Sequence, residues 1–423
     1  MTERSTQERV TSLKTEQLPE VIPETSLELA TSIRTRRVDE TIRLIQENLD
    51  SIRVSDVATH TLSQIQSIPV YEAIRKEKNQ SDYFCLGKGF GAQQSKASCL
   101  MEAAEMHFLE AKEISSAVRL SDLDQEAQIY RRSWPKPIQK REWIQEGAKD
   151  SFVYPSTDVR TKDTIYLLEE DIFYLQSDKK TIYGPTTNGL ASGNTEQEAI
   201  IHGLCELIER DALHRWGLRQ FFVSDGGKTT PYSGTRISTT LGTSLKEVFE
   251  AGYHVYITRL PTPHHCFVYE AGLIAGQEEF RSFVFQGWGA HPVEEIAMNR
   301  AIAESVQILA MHKAIQHKRV PEERLPGLNE GHRRATRELG NAHVFEKNLD
   351  RKFLELEPCL WQLWYGPTYE WKEWKQDSSQ SEILQTLLES DLGFCTSINL
   401  APKDFPFNAQ LTICSNLSSP PGL

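Results

Sequence analysis

The sequence predicts an α/β protein of the α+β type, with helices packed on mainly antiparallel strands around an acidic cavity. Two observations carry this. Three long segments free of Pro read as helices of good formers, each apolar around most of its surface and carrying one polar stripe. Between them run short apolar or alternating segments, such as His254 to Leu260 and Cys266 to Ala275, that follow one another as paired strands would.

Residues 1–30 are rich in Thr, Glu, Ser and Gln and read as a mobile arm, because little there can bury a core. Residues 31–423 form the remaining unit. A helix follows Val38, with Ile42, Leu44, Ile45 and Leu49 as its apolar positions. Ile68 to Ile74 and Tyr83 to Leu86 read as strands, the second running into Gly87-Lys88-Gly89-Phe90-Gly91. The first long helix lies in GAQQSKASCLMEAAEMHFLEA. Residues 117–150 are charged and punctuated by Trp and Pro, and read as surface connections. Thr164 to Leu168 and Ile182-Tyr183 are short strands. Residues 224–243 read as an irregular loop rich in Gly, Thr and Ser. A short helix over Leu245 to Ala251 stops at Gly252, well placed as a C′ residue. Phe283 to Trp288, Phe394 to Asn399 and Ala409 to Cys414 complete the strands, and residues 318–340 are charged and solvated. Trp361, Trp364, Trp371 and Trp374 bracket Gly366-Pro367 and read as packing of an amphipathic segment.

The chain is organised around NGLASGNTEQEAIIHGLCELIERDALHRW, from Asn188 to Trp216. Thr195 followed by Glu198 has the spacing of a capping box and starts a helix. At roughly 100° per residue, Glu198, His202, Glu206 and Glu209 fall within about 80° of one another, bordered by Arg210. The spacing recurs. Ser98, Glu102 and Glu105 lie at i, i+4 and i+7 on the first long helix, as do Arg300, Glu304 and Gln307 on the third. Polar stripes on buried helices need partners: one another, a metal or a ligand. The sequence has neither the paired Glu-x-x-His of a di-iron bundle nor the clustered Cys and His of a zinc site. Oxygen ligands remain, and they suit magnesium, which usually arrives with phosphates. There is no P-loop: Gly226-Gly227-Lys228-Thr229 has Phe222 where the first glycine is required.

These segments, with GKG and SCLMEAAE, resemble the YcaO proteins; Gly193-Asn194-Thr195, Glu198, Glu206 and Glu209-Arg210 sit at the family's spacing. The likeness runs from about Ile33 to near the C-terminus. It implies a YcaO-like fold that binds ATP and Mg2+ between carboxylate-bearing helices. It also implies activation of a peptide backbone amide by O-phosphorylation, followed by attack of a nucleophile. Sulfide gives a thioamide, a Cys, Ser or Thr side chain an azoline, and some members make amidines. By the same resemblance Glu102, Glu198, Glu206 and Glu209 are metal ligands. Arg34, Thr41, Ser98, Glu105, Asn194, Arg210 and Arg300 are ATP contacts. The family usually has Arg after the second Glu of the first stripe, where this chain has Met106. The final Ser418-Ser419-Pro420-Pro421-Gly422-Leu423 lacks the Pro-x-Pro-x-Pro of azoline-forming members. That points to the branch paired with a TfuA-type partner and linked to thioamides. A precursor peptide or protein is the implied substrate, a TfuA-type or leader-recognition protein the implied partner, and a homodimer the implied assembly. An azoline-forming cyclodehydratase and a non-catalytic nucleotide-binding subunit are the alternatives. No general base is assigned; His202 and His214 qualify by proximity alone.

Composition agrees with a soluble enzyme. The chain has 423 residues, 39% hydrophobic and 25% charged, with a net charge of −12. Such a surface does not grip nucleic-acid backbones broadly. Seven scattered cysteines without C-x-x-C suggest a reducing, cytoplasmic setting and no disulfide framework. No apolar run is long enough for a membrane span, and the N-terminus has no apolar signal core.

Overall fold

The computed structural model describes residues 20–22, 33–76, 82–111, 116–132, 134–142, 151–173, 187–222, 230–231, 236–275, 284–316 and 379–418. In chain order, β1 (Glu20–Ile22) and α1 (Val38–Gln46) precede a meander of β2 (Val54–Thr59), β3 (Val70–Lys76) and β4 (Asp82–Lys88). A glycine-rich turn leads into α2 (Ala92–Ala111). Short strands β5 (Val118–Arg119), β6 (Gln128–Tyr130) and β7 (Ile138–Gln139) follow. Next come β8 (Phe152–Asp158), β9 (Thr164–Leu168), the single-turn α3 (Glu169–Ile172) and β10 (Leu190–Gly193). The last of these runs directly into α4 (Glu196–Phe222). Then come β11 (Thr230–Pro231), β12 (Arg236–Ser238), α5 (Thr239–Glu250), β13 (Tyr253–Leu260), β14 (Phe267–Ala275), β15 (Val284–His291) and α6 (Glu294–Gln316). The described chain closes with α7 (Gln380–Leu388), β16 (Cys395–Asn399) and β17 (Asn408–Cys414).

The α+β reading holds. An eight-stranded sheet runs β10-β17-β16-β8-β9-β6-β7, with β5 on β8. A four-stranded sheet runs β11-β13-β14-β15, and a three-stranded one β2-β3-β4. Every pairing is antiparallel except β6 with β9 and β1 with β12. Three large cores follow from this layering, beside two small clusters around Ile129 and Ile42. One joins α2 (Leu100, Phe108) to β16 and β17 (Ile398, Leu411). A second packs α5 and α6 (Leu245, Ile302) on β13 and β14 (Val255, Leu273). The third wraps α4 (Leu204, Ile208), with α7 (Leu384) and the inner face of β14 and β15 (Val268, Ala290). Helix α4 therefore lies between the two larger sheets, which explains why so little of it is amphipathic. Among the described residues no helix is long and apolar enough to cross a membrane.

Three sequence expectations are corrected. Residues 224–243 are not one irregular loop: β11, β12 and the start of α5 lie within them, and only 224–229 and 232–235 of them are outside the described residues. Residues 117–150 supply β5, β6 and β7 to the large sheet rather than only surface connections, because β6 gains a parallel ladder with β9. Strand β1 pairs in parallel with β12 from Glu20↔Arg236 to Ile22↔Ser238. The cysteines are not all unpaired. Cys395 and Cys414 are direct cross-strand partners, with Cα atoms 4.4 Å apart, and form a disulfide. That close Cα spacing is typical of non-hydrogen-bonded antiparallel pairs. Cys85, Cys99, Cys205 and Cys266 are buried free thiols. Ile182-Tyr183, the charged run at 318–340 and the four tryptophans from Trp361 to Trp374 lie outside the described residues. Gly252 does end α5 as expected, with φ 87° and its N–H bonded to the Phe249 carbonyl at 2.9 Å.

Helix α6 is seated on β15 backbone to backbone. A Cβ placed on Gly289 would stand 2.2 Å from the Ala297 oxygen and 2.6 Å from the Arg300 Cβ. Neither neighbour can yield without moving the helix. Gly289→Ala should therefore destabilise the fold by about 1–3 kcal/mol, the range for overpacking. Urea unfolding measures this, and a loss within about 0.5 kcal/mol, the surface range, would show that the contact is not tight.

Candidate functional site

The three polar stripes meet. Helices α2, α4 and α6 turn Glu102 and Glu105, Glu206 and Glu209, and Glu304 toward one another. Each of these acids lies within electrostatic range of an acid on another helix: Glu102 of Glu206 and Glu304, Glu105 of Glu206, and Glu209 of Glu304. Three cations are interleaved. Lys88, from the glycine-flanked end of β4, donates to Glu304 Oε2 at 2.5 Å. The Arg210 guanidinium lies 3.8 Å from Glu206 Oε1. Arg300 acts on Glu206, Glu209 and Glu304.

Backbone positions hold the acids in place. Glu105 Oε1 accepts from the Ser192 N–H at 2.7 Å and from its hydroxyl at 2.5 Å. Glu206 Oε2 accepts the Gly189 N–H at 3.0 Å. The turn chemistry between Asn188 and Thr195 thus clamps one acid of α2 and one of α4.

A second cluster lies at the N-terminus of α4. Thr195 caps the helix, its hydroxyl accepting the Glu198 N–H at 3.1 Å. The reciprocal half of the expected capping box is absent. The Glu198 carboxylate instead accepts from the Thr35 N–H and hydroxyl at 3.1 and 2.9 Å, and from Asn194 Nδ2 at 3.1 Å. Arg34 stands 3.9 Å away from it. The Thr41 hydroxyl donates to Asn194 Oδ1 at 2.9 Å. Arg34, Thr41, Asn194 and Glu198 are therefore one network, 153 or more residues of chain being closed between its two halves. Arg300 lies between the clusters. It donates to His202 Nε2 at 2.5 Å and to the Ala290 carbonyl at 3.3 Å. Ser98 is half-buried one turn before Glu102 on α2.

Sequence reasoning placed no ligand role on Thr35, Lys88, Ser192 or Glu304. Lys88 in Gly-Lys-Gly and Glu304 in the third stripe were visible signals; Thr35 and Ser192 each donate their N–H and hydroxyl to an acid distant in sequence, which no local spacing reveals. It also named His202 as a possible base. The structure commits its Nε2 to Arg300 instead.

The electrostatics are those of a site built for cations. Burial pushes Glu102 up to about 7, with Lys88 opposing. Burial pushes Glu105 to about 8 despite the Ser192 hydrogen bonds, and Glu209 to about 7 despite Arg210. Glu206 is raised for the same reason. Glu304 differs: burial would raise it, but Lys88, Arg210 and Arg300 hold it below the usual range. Arg210 Nε is buried with no hydrogen-bond partner, a donor waiting for an anionic oxygen. Among the described residues no three acid, imidazole or thiol groups already form a metal-binding cluster. Magnesium needs none, since it is usually held by one or two carboxylates together with water and phosphate oxygens. The hard carboxylate donors and the orphaned arginine N–H both fit such a pair of ligands.

Comparison with known proteins agrees. Residues 86–396 match the family model described as YcaO cyclodehydratase, ATP- and Mg2+-binding. An uncharacterized protein of Methanothermobacter thermautotrophicus is 27% identical over 282 residues, 64% of this chain and 69% of that one. An uncharacterized protein in the tfuA 3′ region of Rhizobium leguminosarum bv. trifolii is 25% identical over 283 residues, 63% of this chain and 64% of that one. Each alignment thus spans about two thirds of the relative's length. In fold, the structure of YcaO from Methanopyrus kandleri bound with AMPPCP and Mg2+ superposes with a TM-score of 0.64 and 20% identity, covering 92% of this chain and 93% of that one.

The raised acids give a pH dependence. Their folded pKa values lie above the unfolded ones, so their stabilising share is complete below about 4.5, the ordinary glutamate range. It is lost as pH rises through about 7 and 8. Without divalent cations, the melting temperature should fall between pH 5 and pH 8.5, and Glu105→Gln should flatten that fall. An unchanged slope in the variant would remove Glu105 from the titrating set.

Proposed function

The chain belongs to the YcaO family, ATP- and Mg2+-binding enzymes, and we propose that it activates a backbone amide of a peptide or protein by transferring a phosphoryl group to the amide oxygen. The observation that carries this reading is the meeting of acids from α2, α4 and α6 with Lys88, Arg210 and Arg300 in one cluster. Glu102, Glu198, Glu206 and Glu209 would hold the magnesium ions. Arg34, Thr41, Ser98, Glu105, Asn194, Arg210 and Arg300 would hold the nucleotide. ATP supplies the phosphoryl group, and Mg2+ neutralises charge on its oxygens.

The protein's own share is positioning and electrostatics. The Arg34, Asn194 and Glu198 network fixes the N-terminal end of α4. Arg210, with its free Nε–H, and Arg300 aim fixed positive charge where phosphoryl charge develops, at no cost of reorganisation. Lys88 is committed to Glu304 and keeps that acid ionised.

We assign sulfide as the nucleophile. It attacks the activated amide carbon, phosphate leaves with the original oxygen, and a thioamide remains. The Rhizobium relative encoded beside tfuA supports this choice and a TfuA-type partner. The second reading is azoline formation by a substrate Cys, Ser or Thr, favoured by the cyclodehydratase description of the matched family.

Calorimetric titration tests the shared step. Wild type should bind ATP only with Mg2+, and Glu206→Gln/Glu209→Gln should lose that binding while remaining folded. Retained binding in the double variant would overturn the assignment of the acids. Mass spectrometry of a modified peptide separates the products: a thioamide gains mass by exchange of oxygen for sulfur, whereas an azoline loses one water.

A further inference from the structure

The His202–Arg300 contact belongs to neither acid cluster and has no role in the reading above. His202 lies one turn after Glu198 and one turn before Glu206 on α4, on the side that meets Arg300 of α6. Its Nε2 faces a guanidinium, which has only donors, so Nε2 must be the acceptor. The charged groups that act on it are Arg300, Arg34 and Lys88, with His291 beside them. A protonated His202 would add a further cation to that group. Burial and Arg300 accordingly hold its imidazole well below the ordinary histidine range. His291 is likewise neutral. Its Nδ1 accepts the Val293 N–H at 2.9 Å, and burial with Arg300 lowers it to about 3.

We propose that His202 is a positioning residue for Arg300. Its Nε2 lone pair and the Ala290 carbonyl each take one N–H of the guanidinium, on its two separate terminal nitrogens. Two fixed anchors on a planar, rigid group set its plane. The remaining N–H groups then lie in one fixed plane beside the acids that Arg300 influences, where the nucleotide phosphates would lie. Because both anchors are uncharged, they orient the guanidinium without neutralising it. A carboxylate at position 202 would hold Arg300 equally well but cancel the charge that recognises phosphate. This inference rests on the ATP reading and adds to it a second-layer residue that touches neither nucleotide nor metal.

The test is calorimetric, with ATP and Mg2+ as the probe. His202→Phe keeps the ring and removes the acceptor. It should weaken ATP binding about tenfold, the scale of one charge-assisted hydrogen bond. His202→Gln supplies an acceptor at similar reach and should recover affinity to within about threefold of wild type. In an Arg300→Lys background, His202→Phe should cause no further loss, because residues acting through one another are not additive. Full affinity in folded His202→Phe, or additive losses in the double variant, would overturn the proposal while leaving the ATP reading intact. If His202→Phe does not fold, His202→Leu, which also lacks the acceptor, takes its place in the same cycle, with the same loss expected and full affinity again overturning the proposal. Wild type that binds no ATP would instead remove the ATP reading, and this inference with it.

Discussion

Like charges crowded into a low-dielectric space govern this structure. Glu102, Glu105, Glu206, Glu209 and Glu304 come from three helices far apart in sequence, and burial opposes the ionisation of each. Left alone, such a group would drive the helices apart or force the acids to take up protons. Lys88, Arg210 and Arg300 relieve part of the repulsion, and Glu304 is the acid they relieve most. The rest of the fold resists the remainder. Helix α4 is held between two sheets, α6 is pressed backbone to backbone on β15, and the β10 turn hands N–H groups to Glu105 and Glu206.

The same constraint explains the division of labour along α4. Its first turns face a hydrogen-bonded network of Thr35, Thr41 and Asn194, in which Glu198 accepts from Thr35 and Asn194 and pairs with Arg34. Its middle turns face acids crowded by other acids. A carboxylate held by donors from another part of the chain is already oriented, whereas one raised toward neutrality by burial gains most from an arriving cation. Both kinds sit on one stripe of one helix, eight and eleven residues apart, and only their surroundings distinguish them.

Much of this was legible in the sequence. The long helices showed themselves through uninterrupted good formers, and the acid stripes through 3.6-residue spacing, which places i, i+4 and i+7 on one side whatever the tertiary structure. Gly252 marked its helix end because few other residues adopt its φ. What escaped detection depends on long-range pairing. Strand β2, Val-Ser-Asp-Val-Ala-Thr, is too polar to announce itself and owes its form to the ladder with β3. Strands β5 to β7 exist because β8 and β9 offer them edges. The Cys395–Cys414 pairing follows from the register of β16 against β17, which cysteine spacing does not reveal. Glu198 had the spacing of a capping partner and chose Thr35, because a donor pair brought from another part of the chain outcompetes one backbone N–H.

Strand β17 lies between β10 and β16, in the interior of the largest sheet, yet its residues, Asn408–Cys414, fall after the span that matches the family model. Thr35, Thr41 and the strands β2 and β3 fall before it. The recognisable signature and the physical unit are therefore different objects. A fragment trimmed to the matched span would lose β17 and all but the first two residues of β16, leaving raw sheet edges on β10 and β8 where there is now a continuous ladder. It would also strip the Thr35 donors from Glu198. For anyone grafting, splitting or fusing this chain, the seam lies well outside the motif: the segments that make the enzyme recognisable are not sufficient to make it a body.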